Sequence, residues 1–179
     1  MMSKYLKYFH ESKSSNPSWN IVKTIFQTSI FWTLFLVIIP CVIDKIETFY
    51  HLPGFDFYFR PVIAIVIFIL ASLLGLSSGI VMAVKGEGTP LPLNCTKKLV
   101  ISGPYQFVRN PMAIAGLCQG LAVGIWFGSW FIGLYVISGM ILWNQYVRPI
   151  EELDLLNRFG DDYKHYQQKI KCWIPNWKK

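Results

Sequence analysis

Residues 109–148 read RNPMAIAGLCQGLAVGIWFGSWFIGLYVISGMILWNQYVR, and the 38 residues between the two terminal arginines carry no charge. At a rise of about 1.5 Å per residue, one helix of that length would extend about 57 Å. That is nearly twice the roughly 30 Å of a bilayer's hydrocarbon core. The stretch therefore reads as a helical hairpin. Gly128 and Ser129, flanked by Trp126 and Trp130, mark its turn, because Gly and Ser break helices and Trp favours the membrane interface. Each arm is then short for a span, at roughly 16–18 residues against the usual 20 or so.

Outward from the hairpin the same segregation recurs. Thr24 to Ile43 and Val62 to Val84 also lack charge. Across 179 residues, 53% are hydrophobic, 16% aromatic and only 15% charged, against about 25% charged in soluble domains. The expectation is all-α: an integral membrane helical bundle of about four transmembrane helices, including the C-terminal hairpin, plus a cytoplasmic amphipathic helix. Its length suits a single membrane domain over 1–179.

Charge supports an even number of crossings. Met1 to Lys23 carries a net +3, Asp44 to Arg60 −1, Lys85 to Arg109 +3 and the segment from Arg148 onward +2. Under the positive-inside rule both termini and the Lys85 to Arg109 loop are cytoplasmic. The net +7 is thus accounted for by topology and anionic headgroups, with no nucleic acid partner required. The polar first 20 residues and the long apolar block after them read as an anchor with a short arm, in which Tyr5, Tyr8 and Phe9 rest on headgroups. Cys41, Cys95, Cys118 and Cys172 are scattered, without metal-ligand spacing, and read as free thiols.

Helix one is expected to end near Pro40, where the ring removes a donor, and Pro61 suits the first turn of helix two. Gly75 and Gly79, and Gly116, Gly120 and Gly124, recur at the four-residue interval that lets helix backbones approach closely. Tight packing is the first reading of these glycines, and a ligand-facing groove beside Gly116 is the second. From Arg148 onward Leu153, Leu156, Phe159, Tyr163 and Tyr166 recur at helical spacing, interrupted by Gly160. Trp173, Ile174, Pro175 and Trp177 follow as an interfacial foot.

Three polar constellations fall on the cytoplasmic side. Lys85-Gly86-Glu87-Gly88-Thr89-Pro90 lacks the strand and third glycine of a dinucleotide fingerprint. It remains either a plain loop turn or a backbone that a ligand can approach without a Cβ in the way. Ser102-Gly103-Pro104-Tyr105-Gln106-Phe107-Val108-Arg109-Asn110-Pro111-Met112 sets a cation at the lip of the hairpin, where Arg109 either snorkels to headgroups or holds a carboxylate. Arg148-Pro149-Ile150-Glu151-Glu152 leaves the hairpin with two acids, which favour a helix's first turn or hold a cationic or hydroxyl-bearing ligand. A closed hairpin brings Arg109 beside Glu151 and Glu152 at one mouth, a two-ended site for a zwitterion such as the methionine moiety of S-adenosylmethionine.

These motifs together resemble the isoprenylcysteine carboxyl methyltransferase and phospholipid methyltransferase superfamily. The resemblance runs through Gly86-Glu87-Gly88-Thr89-Pro90, Gly103-Pro104-Tyr105, Val108-Arg109-Asn110-Pro111-Met112, Arg148 with Glu151-Glu152, Phe159-Gly160, Tyr163, Tyr166 and Trp173-Ile174-Pro175. It covers about Lys85 to Trp177, so residues 85–179 become the cofactor-binding half and residues 1–84 the arm and two membrane helices. The resemblance implies S-adenosylmethionine as cofactor, bound by Gly86, Gly88, Gly103, Pro104, Tyr105, Val108, Arg109, Asn110, Pro111, Met112, Glu151 and Glu152, with Gly116 added by the groove reading. Arg109, Glu151 and Glu152 are the candidate catalytic residues, and no metal is expected. The chain departs from the pattern at Asn110, where His is frequent, at Ala113, where Tyr is, and at Cys172, where Arg is.

Methyl transfer needs alignment and dryness rather than a nucleophilic side chain, and positioning alone supplies roughly 7–11 kcal/mol. The expected acceptor is a membrane lipid or a lipidated small molecule or protein, bearing an isoprenylcysteine-type carboxylate or a lipid amine. An amine would arrive deprotonated with help from Glu151 or Glu152, and Tyr105 would steady a sulfonium through its ring face. The competing readings are an NADPH-dependent, sterol-type membrane reductase and a non-catalytic membrane module.

Overall fold

The computed structural model describes residues 16–89 and 95–176, and among these every extended element is helical. Tyr5, Tyr8, Phe9, Pro90 and Trp177, to which sequence reading gave roles, lie outside the described residues. The first helix, α1, runs Pro17–Phe49, and α2 runs Arg60–Lys85; both are long and apolar enough to cross a membrane. The hairpin follows as α3, Pro111–Phe127, and α4, Trp130–Leu142. A π-helical stretch, Trp143–Val147, carries α4 directly into α5, Arg148–Lys169. The fold is a helical membrane bundle with a polar amphipathic helix at one end.

The hairpin turn falls at Gly128 and Ser129. Gly128 takes φ 68°, which costs glycine little, and Ser129 caps α4 by accepting from the Ile132 N–H at 2.9 Å. The connection between α1 and α2 folds over this turn. Phe55 N–H donates to Gly128 O at 2.8 Å, Arg60 Nη1 donates to Trp126 O at 2.9 Å, and the rings of Phe55 and Trp130 stand 4.6 Å apart.

Helix one does not end at Pro40. It passes straight through, because residues Thr33–Ile38 widen into a π-turn in which Ile39 N–H donates to Leu34 O, five residues back. The next bond in that register would run from residue 40 to Phe35 O, and proline has no N–H to give. The Tyr135 hydroxyl of α4 donates to Phe35 O instead, at 3.2 Å. The π-turn at Trp143–Val147 likewise immediately precedes a proline, Pro149, with Arg148 N–H donating to Trp143 O.

The spaced glycines divide. A Cβ on Gly75 would sit 3.2 Å from Ala115 Cβ, on Gly79 3.0 Å from Thr24 Cγ2, and on Gly120 2.8 Å from Val136 Cγ2, so these positions pack helix against helix. Nothing lies within 4 Å of a Cβ built on Gly116, which opens on a cavity. These contacts set the register of the bundle: Thr24, Gly79 and Met112 share one level, Gly75 and Ala115 the next, and Ser72 and Gln119 the next again.

In α5 the backbone leaves helical geometry at Gly160 (φ 51°), the position where the sequence pattern breaks. The apolar stripe finds only part of its burial: Tyr163 is buried, but so is Asp154, which is not part of that stripe. Asp154 is tolerated there because Arg158, one turn on, pairs with it at 2.5 Å. Of the foot, Trp173 is docked on protein. Trp173 Nε1 donates to Asn144 Oδ1 at 3.0 Å and its ring meets Trp143 edge-on at 5.4 Å, while Ile174 alone of the two is exposed.

Candidate active site

A cavity of about 520 Å³ runs between α1, α3 and α4 and is closed at one end by α5 and the loops before α3. Each wall has a local cause. The loop before α3 tightens into a 3-10 turn, Gly103–Gln106, with Pro104 at its start and Gly103 at φ 61°. Asn110 then caps α3 by accepting from the Ala113 N–H at 3.0 Å, and Pro111 occupies the first helical turn. The tail holds the loop in place: Arg109 N–H donates to Lys171 O at 3.0 Å, Asn176 N–H to Phe107 O at 2.9 Å, and the Tyr166 hydroxyl to Tyr105 O at 2.6 Å.

At the polar end the hairpin's two exits do meet. Arg109 Nη1 donates to Glu152 Oε1 at 2.5 Å and to the Tyr163 hydroxyl at 3.2 Å, while its Nε is buried without an acceptor. Asn110 Nδ2 donates to Glu151 Oε2 at 3.4 Å. The two acids thus have different surroundings. Glu152 is neutralised by Arg109, whereas Glu151 faces the cavity with a side-chain amide as its hydrogen-bond donor. Burial pushes the Glu151 carboxyl up to about 7, with Glu152 and Asp154 adding to the rise. Burial opposes the Arg109 charge, but Glu152 and Tyr163 outweigh it and the guanidinium is held above its ordinary value. Burial also pushes Tyr163 up to about 12 and raises Tyr105 and Tyr166, so all three stay protonated hydroxyls.

Among the residues singled out from sequence, Tyr105, Arg109, Asn110, Met112, Gly116 and Glu151 line this cavity. Glu152 stands one step behind, against Arg109. Val108 is buried, and Gly103, Pro104 and Pro111 shape the backbone without lining the cavity. Gly86 and Gly88 face their own chain: a Cβ on either would come within 2.6 Å of Thr96 or Cys95 atoms. From that loop Thr89 and Thr96 line the cavity instead. Glu87, at φ 56° between the glycines, is paired with Lys98. Cys172, at the departure from the family pattern, is buried beside the site, and burial raises its thiol pKa.

Sequence reading missed two sets of residues. Asp154 and Arg158 line the cavity as an ion pair, and their four-residue spacing on a helix was a usable signal. Gln119 is 1% exposed and lines the cavity within the membrane part of α3. A glutamine inside an uncharged span was the signal there, since a polar residue in that setting marks a site by default.

Residues 59–162 match the phospholipid methyltransferase family, a match that takes in α2, the hairpin and the polar end of the cavity and leaves α1 outside. A 54-residue stretch is 37% identical to an uncharacterised protein of Haemophilus influenzae, covering 30% of this chain and 86% of that protein. A 79-residue stretch is 32% identical to the protein-S-isoprenylcysteine O-methyltransferase of Schizosaccharomyces pombe, covering 43% of this chain and 33% of that protein. The chain thus spans about a third of the length of the fission-yeast enzyme. With more than half of its residues inside the family match, the chain belongs to the phospholipid methyltransferase family.

Proposed function

We propose that the protein transfers a methyl group from S-adenosylmethionine to an acceptor dissolved in the membrane. The observation that carries this reading is one cavity with Arg109, Asn110 and Glu151 at its polar end and the apolar faces of α1, α3 and α4 beyond. S-adenosylmethionine supplies an electrophilic methyl on a sulfonium. The residues present suit it. Glu151 is a carboxylate without a cationic partner of its own, and the buried Nε of Arg109 still has a hydrogen bond to give. Tyr105, which lines the cavity as a protonated hydroxyl, offers a ring face to a cation.

The chain's own part is to orient and to exclude water. Arg109 is fixed by Glu152, Tyr163 and the Lys171 carbonyl, so its position does not depend on a ligand. Glu151, at about 7, is poised to take a proton from an amine acceptor at neutral pH; a carboxylate acceptor would leave it idle. We further propose that acceptors enter from the bilayer and that the polar end faces the cytoplasm.

Incubating membranes containing the protein with methyl-labelled S-adenosylmethionine should carry label into the lipid-soluble fraction. Glu152→Ala should abolish that transfer and lower thermal stability by about 3–5 kcal/mol, since it strands a largely buried guanidinium. Stabilisation of the purified protein by NADPH but not by S-adenosylhomocysteine would replace this reading with the reductase one.

A further inference from the structure

The cavity has a second polar end, inside the membrane and away from the ion pairs. Gln119 lies nine residues into α3 from Asn110, about 13 Å along the helix. Its Nε2 donates to Ser72 Oγ at 2.9 Å, and Ser72 Oγ donates to Phe68 O at 2.7 Å. Ser72 has one proton and has given it to Phe68, so toward Gln119 it can only accept. With the hydroxyl proton on Phe68 O, the amide turns its nitrogen to Ser72. Oε1 is left with no donor among the described residues, on a side chain that lines the cavity.

A second amide carbonyl lies on the same path. Gln27 of α1 lines the cavity between the levels of Thr24 and Trp32, and its Oε1 is buried with no hydrogen-bond partner. The Tyr135 hydroxyl, also on this path, has spent its proton on Phe35 O. The amide oxygens of Gln27 and Gln119 are thus the acceptors at this end. Its charge is equally plain, because the acids and bases lining the cavity, Arg109, Glu151, Asp154 and Arg158, all belong to the other end.

On the reading that the polar end takes the methyl donor, we propose that Gln119 Oε1 is a specificity-determining contact for the acceptor. It receives a hydrogen bond from an uncharged hydroxyl or N–H that the acceptor carries apart from the group being methylated. A carboxylate is excluded there, since it would set lone pairs against lone pairs. An ammonium is excluded because nothing at that depth balances its charge. Part of the cavity wall comes from α1, through Gln27, Phe31 and Phe35, and α1 lies outside the family match. Recognition at this end thus joins Gln119, inside the family match, to α1, outside it.

The test compares two probes that differ only in the donor, 1-dodecanol and dodecyl methyl ether, added to the full chain in phosphatidylcholine nanodiscs. Binding is read from tryptophan fluorescence, since Trp32 and Trp143 line the cavity. A probe that cannot donate leaves the carbonyl without its partner and binds more weakly. The wild type should therefore half-saturate with the alcohol at roughly a tenfold lower concentration than with the ether, and Gln119→Leu should narrow the gap to below about twofold. Ser72→Ala releases the amide to turn and should narrow the gap as well, which serves if Gln119→Leu does not fold. Equal binding of the two probes by the wild type, or an undiminished preference in either folded variant, overturns the assignment. S-adenosylhomocysteine binding, read on the same preparations, separates the two claims. Its absence removes the methyl-donor reading, whereas its presence without a donor preference removes only the role of Gln119.

Discussion

Glu151 and Glu152 are neighbours in sequence with separate roles in the fold. Glu152 has Arg109 as a fixed counter-ion, whereas Glu151 is raised from 4.5 to about 7, chiefly by burial. The folded state therefore binds a proton that the unfolded chain has already released between those two values. Stability from this group is complete below about 4.5 and declines as pH rises through 7. Glu151→Gln should remove that decline, flattening the melting temperature between pH 5 and 8, at about 2–4 °C for each kcal/mol recovered. The same ionisation works in the opposite direction on cation binding. Affinity for S-adenosylmethionine should rise with pH through about 7 in the wild type and stay level in Glu151→Gln, as measured by calorimetry across that range. A wild-type affinity that is flat across the range would show that Glu151 does not meet the sulfonium.

Helices that cross the bilayer must satisfy every backbone group internally, and α1 does so with help from α4. Pro40 leaves Phe35 O without its backbone donor, and Tyr135 supplies one from across the cavity. Tyr135→Phe should cost about 0.5–1.5 kcal/mol of stability. In a Pro40→Ala background, where residue 40 regains its N–H, that cost should largely vanish, and a double-mutant cycle of unfolding free energies measures the coupling. Additive costs would mean that the hydroxyl serves some other purpose. The turn at Gly128 and Ser129 is local chemistry and was legible as such, since a left-handed glycine and a serine cap declare themselves in two residues. The passage of α1 through Pro40 was not legible, because the π-turn that absorbs the proline depends on a tyrosine about 100 residues away.

At the scale of the whole chain, the even number of crossings inferred from charge predicts that Tyr58 and Lys164 face opposite sides of the membrane. Both positions are exposed. With the native cysteines replaced, Tyr58→Cys and Lys164→Cys should react with an impermeant maleimide from opposite faces of sealed vesicles, and labelling from one face would overturn the topology. Much of the architecture was readable because long uncharged runs and membrane thickness leave few alternatives. The meeting of Arg109 with the acids beyond the hairpin followed from the same geometry. Burial of Asp154 and the orientation of Gln119 were not readable: each depends on partners, Arg158 with Thr96 and Ser72 with Phe68, that only the packed bundle brings to it. The loop ahead of the hairpin, finally, borrows its support from Lys171 and Asn176. A nascent chain emerges N-terminus first, so the cavity lacks this brace until residue 176 has left the ribosome. The half-made protein therefore carries that loop still unclasped until translation passes that point.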